Sequence, residues 1–203
     1  MPTVIDVRRL GLVDFDEAWA LQRELSTQVT PERGFLLLLE HPPIFTLGKN
    51  GDAANVLDAH GIPVRRIDRG GDVTYHGPGQ LVGYPILNVR TLGVRRYVQS
   101  LEDSLLDLLG GLGVRARRKE GCVGIWTNRG KIASIGVRVS RGVSMHGFAL
   151  NVSCDLSPFA FIHPCGIPRC LVTSVSEELG RPVTVDEASR RFQLRPAMSP
   201  LRS

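Results

Sequence analysis

RGGDVTYHGPGQLVGYPILN, residues 69–88, is the stretch around which the rest of the 203-residue chain is read. It opens on a charge and two adjacent glycines and carries Tyr75 and His76. It then turns through Gly77-Pro78-Gly79-Gln80 and runs on as an apolar segment fit for a strand. Adjacent glycines let a backbone approach a ligand closely, because no Cβ intervenes and positive φ is open to them. A polar, glycine-bracketed loop between strands is a common seat of function. One GG or GPG alone is ordinarily a turn; twenty such residues together ask for more.

C-terminal to it, residues 80–89 read as a buried strand and residues 92–112 as the clearest helix. There Val94, Tyr97, Val98, Leu101, Leu105, Leu108 and Leu112 recur at three- and four-residue steps until Gly110, Gly111 and Gly113 close it. Strand-like segments follow at 114–118, 123–127, 131–139 and 143–152. Asn128-Arg129-Gly130 and Arg141-Gly142 supply hairpin turns between them. A polar loop at 153–168 contains HPCG. Short helices are expected near 172–179 and 184–193, the second capped by Thr184 with Glu187.

Towards the N-terminus, residues 3–10 suit a first strand. Asp14 and Glu17 resemble a capping box for a helix whose stripe is Phe15, Ala18, Leu21, Gln22 and Leu25, running to about residue 29. The continuous apolar run 35–39 suits a strand buried on both faces. Residues 43–48 suit a short strand or the rim of a pocket, and 49–61 a loop. Strands outnumber helices and often follow one another directly. That favours an α+β fold, a single domain with a mixed, largely antiparallel sheet packed by helices. One catalytic domain is expected over 1–193, with a disordered Pro/Arg/Ser-rich tail at 194–203.

The apolar fraction of 42% and charged fraction of 22% are those of an ordinary globule. No apolar run has the length of a membrane span, and the first residues lack a signal-peptide layout, so the expected location is cytoplasmic with no membrane partner. The four cysteines, Cys122, Cys154, Cys165 and Cys170, then read as thiols. None forms a C-x-x-C pair, so no metal site is expected. The net charge of +5 suits an acidic protein partner as well as nucleic acid. No basic run is interleaved with aromatics, so no nucleic-acid partner is expected.

Cys165 lies in His163-Pro164-Cys165-Gly166-Ile167-Pro168, where prolines fix the backbone and a glycine lets it turn. A thiol presented this way suits a nucleophile, and the competing reading is a small buried hydrophobe. Such a nucleophile works as the thiolate, which a nearby cation favours. Lys131, at the mouth of the strand Ile132-Ala133-Ser134-Ile135-Gly136-Val137, is a candidate, although an ordinary surface charge is the commoner fate of a lysine. His76 and His146 are candidates for proton transfer. G-x-S-x-G, a Walker A loop and G-x-G-x-x-G after a strand are all absent.

Four stretches in order, EHPPIFTLG (40–48), RGGDVTYHGPGQLVGYPILN (69–88), GKIASIGVRVSRGVSMHGFALNV (130–152) and DLSPFAFIHPCGI (155–167), resemble the lipoyl(octanoyl) transferase family. They span about two-thirds of the chain, and HGPGQ with PCG separates the transferases from lipoate ligases. The resemblance implies the biotin/lipoate protein ligase fold and transfer of an octanoyl group from octanoyl-acyl carrier protein to a lysine amine. The implied acceptors are lipoyl domains of 2-oxoacid dehydrogenase complexes and the glycine cleavage H protein.

It further implies Cys165 as the acyl-thioester carrier and Lys131 as the residue that favours its thiolate and helps to move protons. Substrate binding would fall to Arg69, Gly70, Gly71, Asp72, Val73, Thr74, Tyr75 and His76, to Ser134, Ile135 and Gly136, and to Gly147, Phe148 and Ala149. A thioester is already activated, so no cofactor and no ATP are implied. An ATP-dependent lipoate or biotin ligase of the same fold is the alternative. Backbone amides around Gly166 are a candidate oxyanion site, and a Cys165–Cys170 disulfide is a minor possibility in a reducing compartment.

Overall fold

Five consecutive apolar residues, Phe35 to Leu39, are comfortable only in a strand covered on both faces. A computed structural model of the chain, describing residues 4–195, places them so. In chain order the regular elements are β1 (Val4–Leu12), α1 (Phe15–Ser26), β2 (Arg33–Glu40), β3 (Ile44–Leu47), β4 (Val64–Arg66), β5 (Val73–His76), β6 (Gln80–Ile86) and α2 (Val94–Leu112). There follow β7 (Arg117–Lys119), β8 (Cys122–Trp126), β9 (Lys131–Ser140), β10 (Val143–Asn151), α3 (Val175–Leu179) and α4 (Val185–Arg191).

Seven strands form one sheet in the order β1-β2-β6-β10-β9-β8-β7. Only β1–β2 is parallel, and every other neighbour is antiparallel. Alternation within β2 splits its apolar run between two layers. Phe35, Leu37 and Leu39 pack with Ala18 and Leu25 of α1, while Leu36 and Leu38 pack with Leu105, Leu108, Leu109 and Leu112 of α2. The sheet is thus sandwiched between the two long helices.

The caps follow the sequence. Asp14 accepts hydrogen bonds from Asp16 N (2.8 Å) and Glu17 N (3.3 Å), and Thr184 accepts from Glu187 N (3.1 Å). Arg141 (φ 52°) and Gly142 (φ 84°) make the two-residue turn between β9 and β10.

Several boundaries differ from those expected. α1 ends at Ser26 rather than 29. Gly110 and Gly111 lie inside α2, and Gly113 alone caps it, in the left-handed conformation at φ 91°. β7 begins only at Arg117, because Val114 N still donates to Leu109 O at the helix end (2.9 Å) and pairing with β8 starts at Arg117 opposite Trp126. Helix α3 starts at 175 because Val172 is engaged as a parallel bridge to Lys131, and Ser174 is the N-cap. The loop 153–168 contains two 3-10 turns, Ser157–Phe161 and Pro164–Gly166.

A second, three-stranded sheet, β4-β3-β5, was not foreseen as separate. It forms one wall of the site described below. Leu194 packs on the core and Arg195 N donates to Ser104 Oγ (2.9 Å), so the first residues of the expected tail are held. Residues 196–203 lie outside the described residues. Among the described residues no helix is long and apolar enough to cross a membrane.

Candidate active site

Cys165 sits in the 3-10 turn Pro164–Gly166 with φ 58° and ψ 25°, a left-handed conformation uncommon for a residue with a side chain. One backbone hydrogen bond from outside and two within residues 163–167 hold the turn. His163 N donates to Asn55 O (2.7 Å), Gly166 N to His163 O (2.8 Å) and Ile167 N to Pro164 O (3.1 Å). Asn55 Nδ2 in turn donates to Asp72 Oδ2 (2.7 Å), which ties the cysteine turn to the glycine loop at 69–72. The amides of Gly166 and Ile167, two of those expected around an oxyanion, are thus engaged inside the turn.

Lys131 reaches this turn from the start of β9. Its Nζ donates to Cys165 Sγ at 2.8 Å, and the residue is only 2% exposed, not the surface charge a lone lysine usually is. Its backbone is fixed by Leu171, whose carbonyl accepts from Lys131 N (2.8 Å), and by Thr173, whose N–H donates to Lys131 O (3.0 Å). Its stem runs beside Trp126, with Nζ 5.4 Å from the ring centroid.

A cleft of about 460 Å³, partly open to solvent, lies against the thiol. Of the residues expected to bind substrate, Arg69, Gly71, Asp72, Val73, Thr74, His76, Ser134, Ile135, Gly136, Gly147, Phe148 and Ala149 line it. Tyr75 does not. Alternation along β5 turns its ring to the far face, where it meets Phe45 and Phe159 at 5.6 and 5.5 Å. Gly70 contributes its backbone, donating from N to Val137 O (2.9 Å) and so docking the glycine loop on β9. That approach needs Gly136, since a Cβ there would stand 2.8 Å from Arg69 Cδ. Phe15, Ile67, Tyr84 and His146 complete the lining. Phe15 and Ile67 were not singled out from sequence, because periodicity marks them only as apolar.

Behind the cleft runs a directed hydrogen-bond chain. Arg69 Nη2 donates to Thr46 O (2.7 Å) and Thr46 Oγ1 (3.0 Å), and Thr46 Oγ1 lies 3.3 Å from His76 Nε2. An arginine only donates, so the threonine hydroxyl is free to give its proton to His76 Nε2. His76 Nδ1 then donates to Gln80 Oε1 (2.7 Å), and Gln80 Nε2 donates to Asn151 Oδ1 (2.9 Å) and Tyr75 O (3.1 Å). Asn151 Nδ2 ends the chain on Thr173 O (3.0 Å), beside the backbone that brackets Lys131. This arrangement needs neutral His76, and burial, reinforced by nearby His41, pushes its pKa down to about 3.

The other two buried histidines, His41 and His146, are also held low by burial. The Val13 carbonyl partly offsets this for His41, and Asp68, 2.7 Å from His146 Nε2, does so for His146. Both sequence candidates for proton transfer are thus buried and hydrogen-bonded at the cleft, His76 to Thr46 and Gln80 and His146 to Asp68. Burial likewise lowers Arg69 and pushes the Cys154 thiol up to about 12; a charge on Cys165 works in the opposite direction on Arg69. All four cysteines are free, and Cys170 Sγ faces Leu171 O at 3.7 Å. Gln80 was marked only as the end of the HGPGQ turn, and Asn151 stood inside a matched stretch with no signal of its own. Their partners lie across strands.

The fold is that of the lipoate and biotin protein ligases. Lipoate-protein ligase A bound with ATP superposes with a TM-score of 0.78 at 17% identity, over 94% of this chain and 82% of that one. The biotin protein ligase of Aquifex aeolicus in complex with biotin and ATP gives 0.56 at 13% identity, over 92% and 66%. Sequence narrows the class. Residues 14–195 match the Lipoyl protein ligase A/B catalytic domain, and the chain belongs to that family. Among curated relatives, the octanoyltransferase of Geotalea uraniireducens is 51% identical over 190 residues, 92% of this chain and 88% of that protein. That of Geobacter sulfurreducens is 54% identical over 183 residues, 88% and 77%. That of Mycobacterium bovis is 50% identical over 190 residues, 91% and 82%.

Proposed function

We propose that the protein is an octanoyltransferase of protein lipoylation. It takes an octanoyl group from octanoyl-acyl carrier protein onto Cys165 and passes it to a lysine amine of a lipoyl domain. The observation that carries the mechanism is the 2.8 Å contact between Lys131 Nζ and Cys165 Sγ at an apolar cleft. An ammonium touching sulfur favours the thiolate, the form that attacks a carbonyl.

The thiolate adds to the thioester carbonyl, and the C–S bond to the carrier's prosthetic thiol breaks. Lys131 protonates the departing thiolate. The acceptor amine then attacks the Cys165 thioester, an amide forms, and the sulfur leaves as thiolate. The proton lost by the amine returns to Lys131. Two carriers are thus served in turn through one covalent intermediate, without ATP.

The apolar lining from Phe15, Ile67, Ile135, Phe148 and Ala149 suits an alkyl chain, each buried CH₂ contributing about 0.8 kcal/mol. The net charge of +5 suits acidic carrier domains, among them those of 2-oxoacid dehydrogenases and the H protein. The reading places the enzyme in the cytoplasm, where a nucleophilic thiol stays reduced. The test is octanoyl transfer to apo lipoyl domain from octanoyl-acyl carrier protein with ATP omitted. Modification is expected. Modification only when free octanoate and ATP are supplied would make the protein a ligase.

A further inference from the structure

Thr74 stands out among the cleft residues by what it lacks. Four buried side-chain nitrogen or oxygen atoms have no hydrogen-bond partner among the described residues: Trp19 Nε1, Gln22 Nε2, Thr74 Oγ1 and Trp126 Nε1. Of these residues only Thr74 lines the cleft that Cys165 also lines. The residue is 5% exposed, so water does not readily satisfy the hydroxyl. Its cross-strand neighbour Thr46 spends its own hydroxyl on Arg69 and His76. Strand β5, which bears Thr74, packs directly on the turn that bears Cys165. A buried hydroxyl with no partner destabilises a fold, and its persistence calls for one that arrives with a ligand.

The chemistry of the substrate limits what that partner is. An acyl thioester in an apolar slot offers one strong acceptor, its carbonyl oxygen, because the chain is hydrocarbon. That oxygen gains negative charge as the thiolate adds, and an oriented donor in a largely apolar cleft stabilises it more in the transition state than in the ground state. The amides of Gly166 and Ile167, the nearest backbone donors after the nucleophile, are already bonded within their turn.

We infer that the Thr74 hydroxyl is a catalytic donor to the carbonyl oxygen of the acyl group, both when Cys165 attacks and when the thioester is attacked in turn. The bookkeeping of the reaction is unchanged. The carbonyl electron pair moves onto oxygen and returns as the sulfur leaves, with Thr74 keeping its proton throughout. This inference rests on the thioester route proposed above.

Thr74→Val deletes the hydroxyl in nearly the same shape and keeps a β-branched residue in a strand, while Thr74→Ser keeps the hydroxyl. Three readouts separate the roles: single-turnover acylation by octanoyl-acyl carrier protein followed by intact mass, alkylation of Cys165 by iodoacetamide, and thermal unfolding. Acylation in the valine variant should slow roughly a hundredfold, in line with the loss of one oxyanion donor. Alkylation, which develops no oxyanion, should be unchanged. The unfolding temperature should hold or rise, since an unpartnered buried polar group has been removed. Serine should recover most of the acylation rate. A valine variant that acylates within twofold of wild type overturns the assignment, as does an equal loss of alkylation or a serine variant no faster than valine. A wild type that forms no acyl adduct overturns the thioester route itself, a different result that takes this assignment with it.

Discussion

Lys131 is a buried cation whose ammonium meets a thiol rather than a carboxylate. An ammonium out of water is costly unless a partner able to carry negative charge sits against it, and the proposed mechanism uses the sulfur as that partner. Replacing Lys131 by Met keeps the stem beside Trp126 and removes the charge. Alkylation of Cys165 at pH 7 should then slow at least about tenfold, while stability holds or rises because a buried charge has been replaced by an apolar side chain. Equal alkylation rates in the two proteins would remove Lys131 from the mechanism. The presentation of Cys165 between two prolines was legible in the sequence. The burial of Lys131 was not, because it depends on Leu171 and Thr173, forty residues further along. Nor does anything local announce the φ of 58° at Cys165.

At the scale of elements, β8 is shaped to let the lysine pass. Gly124 adopts φ 115°, and a Cβ on it would stand 2.9 Å from Lys131 Cε and 2.5 Å from Ala133 O. Its amide is held by Glu102 Oε1 (3.2 Å), and Glu102 is held by Arg118 (2.6 Å). Gly124→Ala should cost about 1–3 kcal/mol from backbone strain and also slow Cys165 alkylation by displacing the ammonium. Gly11→Ala is the control, since Gly11 has φ 68° with nothing within 4 Å of an added Cβ. It should lose stability and keep wild-type alkylation. Denaturation midpoints and alkylation rates on both variants decide the matter, and parallel losses in the two would reduce Gly124 to a structural glycine.

Elements with their own caps or periodicity, α1, α2, β2 and the β9–β10 hairpin, were readable locally. β4 and β5 were not separable as a second sheet. Strands of three and four residues carry too little pattern, and their pairing with β3 is fixed by the loops between them.

For the whole molecule, three neutral histidines buried around the cleft make stability depend on acidity. The folded-state pKa of His76 is about 3, and those of His41 and His146 are also lowered, against about 6.5 for the unfolded chain. Between those values the unfolded state binds more protons, so stability falls as pH drops below about 6.5. His76 alone sets a slope of up to about 1.4 kcal/mol per pH unit. Urea midpoints at pH 7.5 and pH 5.5 should differ for the wild type and differ less for His76→Gln; a flat profile would contradict the neutral-histidine network.

The mixed sheet packed by helices was legible from strand count and order. The meeting of residues 46, 69, 131 and 165 around one cleft was not, because each arrives from a separate connection. Only the resemblance of the four motif stretches had gathered most of them in advance.

The most direct measurement is the intact mass of the protein after mixing with octanoyl-acyl carrier protein, with no ATP present, for wild type and Cys165→Ala. One octanoyl adduct is expected on the wild type and none on the variant, with the adduct disappearing when apo lipoyl domain is added. An unmodified wild type that still transfers octanoate to the lipoyl domain, or an adduct that survives Cys165→Ala, would contradict the thioester route.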